Sequence, residues 1–282
     1  MAILPNNEAM IHEIAQEPDL FRHVLRNRKR YTEDFVKIFR KKPIKRIYLV
    51  GSGSPSHLSE TLRYAAISML GVEASAPLPS LFLYHDAFNA SGAYRPEEML
   101  LICPVESGKT KGPVIAAQKA NELRIPVVCT TLDETGILAG LSDVVIKKPS
   151  GAEKAPPTTK GHSIGLFILL LCFLEAARET GRMSAEAYAA YDAGFQQMAG
   201  NVNANRLQVQ EWYRRRQSDV MASERYWFLA YGANYGTATE AVLKFIESHQ
   251  KPTFAYELEE FLHGPLCAVR PEDVVFFLAA ED

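Results

Sequence analysis

The sequence lacks several features that would assign a chain to a class at once. Its 4 cysteines lie far apart and form no C-x-x-C pair, so neither a disulfide framework nor a metal site is predicted. We expect a reduced, cytoplasmic chain. The 31 Lys and Arg nearly balance the 33 Asp and Glu, so no overall field attracts nucleic acid or an anionic membrane, and neither is expected as a partner.

A leader and a membrane span are also missing from the pattern. The first residues, MAILPNNEAM, lack the basic-then-apolar order of a secretory signal. The longest apolar run, residues 164–174, is about half of the roughly 20 residues that a membrane span needs, and Glu175 ends it. This run is predicted to be a buried core or interface helix.

What the sequence does contain is an alternation of short aliphatic runs and longer amphipathic segments, which begins at Arg46. The pattern is typical of βαβ units around a parallel sheet. Strands are predicted at 47–50, 81–84, 99–104, 127–130 and 144–146, and helices at 56–70, 112–123 and 134–141. Residues 46–162 are therefore expected to form an α/β unit with a doubly wound, flavodoxin-like parallel sheet.

A second, shorter α/β unit is predicted at residues 223–282. It follows a helical connection over 163–222 with breaks at Gly181 and Gly200, and its strands are expected at 227–231, 253–256 and 274–279, with a helix at 237–248. The segments VGSGSPSH and YGANYGTA each join a strand to a helix, which indicates a duplicated unit. Residues 1–45 are expected to be an N-terminal helical arm. The second sheet stops after three strands, so we expect the natural chain to continue past Asp282.

Two glycine turns in the first unit have the composition of a phosphate site. GSGS (51–54) and ESGKT (106–110) each follow a strand and open a helix, so free N–H groups and the positive end of a helix dipole meet there. Neither turn completes a nucleotide pattern, because Cys103 replaces the first P-loop glycine and Ser56 the third glycine of a dinucleotide fingerprint. A phosphate without any cofactor is predicted; plain connecting turns are the alternative.

Titratable residues of the second unit suggest proton transfer. Lys244 and Glu247 lie three residues apart on one face of the predicted helix, and a carboxylate beside an ammonium stays ionised as the pH falls, which suits a base. His263 precedes Gly264-Pro265, which ends any helix. A solvated surface pair and a structural histidine are the alternatives. His57, His162 and His249 have no partner visible in the sequence.

Motifs along nearly the whole chain resemble one family, the double-SIS phosphosugar isomerases. This family includes the isomerase half of glucosamine-6-phosphate synthase and the fructosamine-6-phosphate deglycases. The matching segments are HEIAQEP (12–18), GSP (53–55), SGKT (107–110), Glu153 with TTK (158–160), LKFIE (243–247) and EFLHGP (260–265). Val105 and Pro156-Pro157 depart from the usual family residues.

The resemblance implies a set of roles for individual residues. Those implied to bind the phosphosugar are Gly53, Ser54, Ser107, Thr110 and Thr158, with Glu106 near its hydroxyls. Glu247 is implied as the base that moves a proton between C1 and C2, with Lys244 beside it. His263 is implied as the acid/base, supplied across the two-fold interface of a homodimer.

The predicted function is a phosphosugar isomerase, deaminase or deglycase that acts on an aminated hexose 6-phosphate. Ala2 follows Met1, so no N-terminal cysteine nucleophile is present and a glutamine-independent reaction is expected. Glu260-Phe261 resembles the deglycases, whereas Lys244 and TTK resemble the synthase, so both reactions stay open. A non-catalytic sugar-phosphate sensor is the alternative from another class, because SIS domains also occur in regulators.

Overall fold

The computed structural model describes residues 7–280. Its helices are α1 (Asn7–Ile14), α2 (Glu17–Arg26), α3 (Arg28–Lys41), α4 (Ser54–Leu70), α5 (Pro79–Leu81), α6 (Lys111–Glu122), α7 (Ile137–Gly140), α8 (Lys160–Glu179), α9 (Ala185–Ala222), α10 (Asn234–His249) and α11 (Leu258–Phe261). Its strands are β1 (Arg46–Leu49), β2 (Glu73–Ser75), β3 (Met99–Pro104), β4 (Val127–Thr131), β5 (Val144–Lys147), β6 (Tyr226–Ala230), β7 (Thr253–Glu257) and β8 (Val274–Leu278).

The first sheet has five parallel strands in the order β2-β1-β3-β4-β5. Every residue of β3 and β4 is buried, as expected for a parallel sheet covered on both faces. Side chains of α3, α4 and α8 form the core on one face, and those of α6 and α7 on the other. The predicted α/β class with a doubly wound, flavodoxin-like order is confirmed.

The predicted strand at 81–84 is wrong. Residues 79–81 form α5, and Phe82–Asp86 is a π-helical turn, which buries Phe82 and leaves Tyr84 exposed. The second strand of the sheet is instead β2, Glu73–Ser75, on the edge beside β1. Its polar sequence has little β-propensity, whereas the apolar 81–84 run imitates a strand.

Two long helices, α8 and α9, connect the two sheets. The break at Gly181 is confirmed, because this residue has φ 66°, but the one at Gly200 is wrong, since α9 runs unbroken for 38 residues. A single glycine costs a helix about 1 kcal/mol relative to alanine, which a helix of this length tolerates. By length and composition α8 is able to cross a membrane, yet 72% of its most apolar window is buried in the protein, as predicted for a core helix.

The second sheet has three parallel strands in the order β7-β6-β8. This order repeats that of the first three strands of the larger sheet, β2-β1-β3. Helix α10 follows the central strand β6 as α4 follows β1, and these two equivalent helices pack against each other. Their contact joins the two sheets and places the candidate site.

Candidate functional site

The crossing of α4 and α10 depends on one glycine. A Cβ atom at Gly236 would lie 2.3 Å from Thr61 Oγ1 and 2.5 Å from the carbonyl oxygen of His57, so a larger residue would force the helices apart. Thr61 Oγ1 donates a hydrogen bond to the carbonyl of Ala233 at 3.0 Å. This close approach brings the first turn of α4 against one face of α10.

Glu240 of α10 is the centre of a buried polar cluster at this crossing. Its side chain is 9% exposed, accepts a hydrogen bond from Ser54 Oγ at 2.8 Å and pairs with His57 Nδ1 at 2.8 Å. Burial alone would raise the pKa of Glu240, but the hydrogen bond from His57 and the nearby positive charge of Lys244 lower it overall. Glu240 is therefore a carboxylate at neutral pH.

Lys244 links this buried carboxylate to a more accessible one. Its Nζ lies 3.2 Å from Glu240 Oε1, 2.8 Å from Glu247 Oε2 and 3.2 Å from Ser54 Oγ. The Lys244 side chain is only 16% exposed, so the pair with Glu247 is not a solvated surface pair. Glu247 itself is 32% exposed, although its Oε2, the oxygen that faces Lys244, is buried.

Two histidines that had no visible partner in the sequence belong to the same cluster. His57 contacts Glu240 directly, and His162, near the start of α8, places Nδ1 at 3.8 Å from Glu240 Oε1. Burial lowers the pKa of His162, although the charge of Glu240 opposes this effect. His162 is therefore an uncharged imidazole at neutral pH.

Glu106 lies in a second cluster, at the carboxyl end of β3. Its Oε1 pairs with the ammonium of Lys148, whose side chain is 3% exposed; burial lowers the pKa of Lys148, and Glu106 opposes that shift. A Cβ atom at Gly161 would lie 2.8 Å from both Glu106 Oε2 and Glu153 Oε1. The carboxylate of Glu106 is thus partly neutralised and suits a sugar hydroxyl better than a phosphate.

The two predicted phosphate turns are neighbours in space. A Cβ atom at Gly112, at the start of α6, would lie 3.8 Å from Ser52 Oγ in the first turn. Both turns need a glycine with positive φ, 67° at Gly53 and 67° at Gly108. Ser107 and Thr110 are exposed, and Ser107 Oγ accepts a hydrogen bond from its own turn, from Lys109 N at 3.4 Å.

The remaining predicted residues differ in how they are held. The Ser54 hydroxyl donates its hydrogen bond to Glu240, so Ser54 is part of the helix crossing rather than of the open turn. Thr158 is half-buried in the loop between β5 and α8. His263 is exposed, and over residues 7–280 no hydrogen bond or ion pair reaches its ring, so the structure does not bring it to Glu247.

Sequence reasoning missed Glu240, His57 and His162. A signal for Glu240 was present, because residues 240, 244 and 247 have the spacing of one helical face, Glu-Lys-Glu. The prediction from the sequence rested on Lys244 and Glu247 and did not include Glu240. No local pattern points to either histidine, since their partner lies on a distant helix.

A model of the SIS domain matches residues 220–282. These residues include β6, α10 and the loop that carries His263, which we call the histidine loop. The chain is also similar to the isomerizing glutamine–fructose-6-phosphate aminotransferase of Chlamydia trachomatis, with 25% identity over 271 residues, 93% of this chain and 42% of the relative. The chain thus spans less than half the length of this curated relative.

Solved structures share the fold. The C-terminal domain of glucosamine-fructose-6-phosphate aminotransferase from Francisella tularensis superimposes with a TM-score of 0.85 at 21% identity, over 97% of this chain and 76% of that chain. Glucosamine-6-phosphate deaminase from Thermotoga maritima gives a TM-score of 0.72 at 22% identity, over 95% and 76%. Residues 220–282 therefore match the SIS domain, and the chain is similar in sequence to the isomerizing aminotransferases and shares the fold of these solved structures.

Proposed function

We propose that this protein catalyses proton transfer on a 6-phosphorylated hexose or its amine adduct, with Glu247 as the base. The observation that carries the proposal is the arrangement on α10. Glu247 is partly open to solvent, while Lys244 holds it at 2.8 Å and is itself anchored on buried Glu240. A carboxylate fixed in this way keeps its position and charge when a substrate enters.

The chemical step follows from this geometry. The Glu247 carboxylate removes a proton from the carbon beside the substrate carbonyl or imine, which gives an enediol or enamine, and then returns it to the neighbouring carbon. The Lys244 ammonium lies beside the negative charge that develops on the substrate oxygen and stabilises it. For a deglycase, water then completes the release of an amine from the sugar phosphate.

The loops of the first sheet supply the substrate anchor in this proposal. The hydroxyls of Ser107, Thr110 and Thr158 and the free N–H groups of the two turns hold the phosphate. Glu106, with its charge offset by Lys148, accepts hydrogen bonds from the sugar hydroxyls. Fixing the substrate at both ends turns the proton transfer into an intramolecular step.

The acid is His263 of a second copy of the chain. In one chain its ring is exposed and, within the described residues 7–280, makes no hydrogen bond or ion pair with Glu247, so we propose a homodimer in which each histidine loop serves the opposite site. We place this reaction in the cytoplasm, because the thiols of Cys103, Cys129 and Cys172 are unpaired and buried and suit a reducing compartment.

The test is turnover in the absence of glutamine, with fructosamine 6-phosphates and glucosamine 6-phosphate as substrates. A thermal-shift panel of sugar phosphates selects the ligands beforehand, because a ligand that binds the native state raises the apparent stability. We expect turnover of at least one aminated hexose 6-phosphate and none of its unphosphorylated form. Turnover of neither substrate class would refute the proposal.

A sugar-phosphate sensor is the second candidate, favoured by the exposed ring of His263, which makes no hydrogen bond or ion pair within the described residues 7–280. A chain that acts alone would have a base and a binding site but no acid in place. The same panel separates the two functions. Tight binding of a sugar phosphate without turnover, in a verified dimer, would favour the sensor.

A further inference from the structure

The N-terminal segment 12–18 contacts the loop that joins β5 to α8. Glu13, in the last turn of α1, is 4% exposed, and its carboxylate accepts hydrogen bonds from two consecutive backbone N–H groups, those of Lys154 and Ala155. A buried carboxylate is stable only when it is satisfied in this way. Glu13 therefore fixes the backbone in the middle of this loop.

The same segment also fixes the end of the loop. Lys160, which begins α8 and is 5% exposed, donates from Nζ to Gln16 Oε1 at 2.8 Å. Ser163 Oγ donates to Glu17 Oε1, one residue further along the segment. The turn between α1 and α2 lets Glu13, Gln16 and Glu17 reach the middle of the loop and the first turn of α8 at once.

Inside the loop, Glu153 provides a third attachment. Its Oε2 accepts from the backbone N and the Oγ1 of Thr159, at 2.8 and 2.7 Å, and its Oε1 accepts from Gly161 N at 2.9 Å. Thr158 lies between these attachments. Within the described residues 7–280, no hydrogen bond engages the Thr158 hydroxyl, which is thus free for a ligand while its backbone is held on both sides.

We infer that residues 12–18 are a positioning segment, in which Glu13 and Gln16 hold the 153–160 loop so that Thr158 meets the phosphosugar without reordering. The inference rests on the proposed function, since it assigns a cause to the affinity of that site. Ordering a flexible loop costs backbone conformational entropy, and a loop that is ordered in advance does not subtract this cost from the binding energy. The segment acts through the loop and touches no substrate.

The test compares Glu13→Ala with a matched control, Glu8→Ala, which removes an exposed glutamate from the same helix. Three quantities are measured: hydrogen exchange of the amides of residues 154, 155, 158 and 159 in the ligand-free protein, since residues 156 and 157 are prolines without an N–H, and kcat and KM for the substrate. We expect Glu13→Ala to speed exchange in this loop at least about tenfold and to raise KM about tenfold with kcat within twofold, because a phosphate anchor binds substrate and transition state alike. Glu8→Ala should change neither.

A purely structural role for Glu13 predicts another pattern, in which Tm and the active fraction fall while KM is unchanged. Gln16→Ala removes only the bond to Lys160 and serves if Glu13→Ala does not fold; its KM should rise in the same direction by a smaller factor. Unchanged exchange, or a loosened loop with unchanged KM, overturns the inference and leaves the proposed function intact. A wild-type protein that neither binds nor turns over any sugar phosphate overturns both.

Discussion

The helix crossing and the loops that surround it hold their polar groups in opposite ways. At the crossing, Glu240 and Lys244 are 9% and 16% exposed and are linked to each other and to Ser54. In the loops, Ser107, Thr110 and His263 are exposed. The polar groups of the first region are paired with each other within one chain, whereas those of the second region are exposed and available to a ligand or another chain.

In the proposed function, this difference assigns a separate part of the chemistry to each region. Groups that are buried and paired have already lost their rotamer freedom, so they add precision at no further cost. Exposed groups lose that freedom when the ligand arrives, and the phosphate is the substrate group with enough interaction energy to offset the loss. We therefore expect the crossing to govern kcat and the loops to govern affinity and assembly.

The largest effect is expected from Glu247→Gln. The amide keeps the shape and the hydrogen bonding of the side chain but cannot accept the proton, so turnover should fall by about 10²–10⁴-fold while substrate affinity is kept. Steady-state kinetics and calorimetry measure the two quantities. Activity within tenfold of wild type, about 1.4 kcal/mol of barrier, would assign the base to another residue. The helix crossing would then not be the region that governs kcat.

Glu240→Gln is expected to affect stability. Removing this buried charge leaves His57 without its carboxylate partner and Lys244 with Glu247 alone, which should lower the free energy of unfolding by about 3 kcal/mol at pH 7. The pKa of Glu240 is lowered in the folded state, so its contribution is present above the unfolded pKa and is lost as the pH falls through the folded pKa. Urea unfolding at pH 7 and below pH ~4 should show a difference that narrows in acid; an equal difference at both pH values would mean that the charge is not involved.

The double variant Ser107→Ala/Thr110→Ala tests the exposed loops. Each charge-assisted hydrogen bond to a phosphate contributes about 1.5–3 kcal/mol, so affinity for sugar phosphates should fall more than tenfold. Because both side chains are exposed, the Tm of the ligand-free protein should stay as it is. Unchanged affinity, measured by titration calorimetry, would remove these turns from the binding site.

Mixing two inactive variants tests whether His263 acts across a dimer. In a heterodimer of Glu247→Gln and His263→Ala, one site inherits both defects and the other inherits neither. Random exchange makes about half of the dimers mixed, each with one working site of two, so activity should recover to roughly a quarter of wild type. Brief co-denaturation or co-expression provides the exchange. A mixture that stays inactive despite verified heterodimers would place His263 in its own chain's site or outside any site.

The smallest effect is expected from Glu17→Gln. Burial raises the pKa of Glu17, the hydrogen bond from Ser163 opposes the shift, and the charge of Glu153 adds to it. Ionised Glu17 therefore destabilises the folded protein above the folded-state pKa. Below the unfolded-state pKa this destabilisation is absent, because Glu17 is protonated in both the folded and the unfolded protein. Thermal melts should show a slightly higher Tm for the variant at pH 7.5 and a narrower gap near pH 4.5; a variant less stable at both pH values would contradict this.

The sequence was sufficient for the parts of the fold that follow from periodicity. The apolar run of β3 and the β-branched run of β4 are visible in the sequence, and the strand-turn-helix repeats predicted both α4 and α10. The edge strand β2 was missed because it has only three residues and none of them is fully buried, so its sequence shows no run or alternation of apolar residues. The helical turn at 79–86 was mistaken for that strand.

For the candidate site, the limit was long-range geometry. The position of the phosphate turns followed from topology, since the carboxyl ends of parallel strands share one edge. The pairing of Glu240 with Ser54 and His57 joins residues more than 180 positions apart, and Lys148 reaches Glu106 from another loop. Such contacts depend on which helices cross and at what distance, and a single sequence does not state either.

The close contact at Gly236 sets the distance between helices α4 and α10. If the phosphate is held by loops of the first sheet and the base stands on α10, the span between them is set where the two helices touch, with less clearance than a methyl group requires. A substrate must therefore match this span in the number of carbons between its phosphate and its reacting carbon. We therefore expect the helix spacing set at Gly236 to select the length of the sugar. Sugar phosphates one carbon shorter or longer should be discriminated by this spacing rather than by any side chain that touches them.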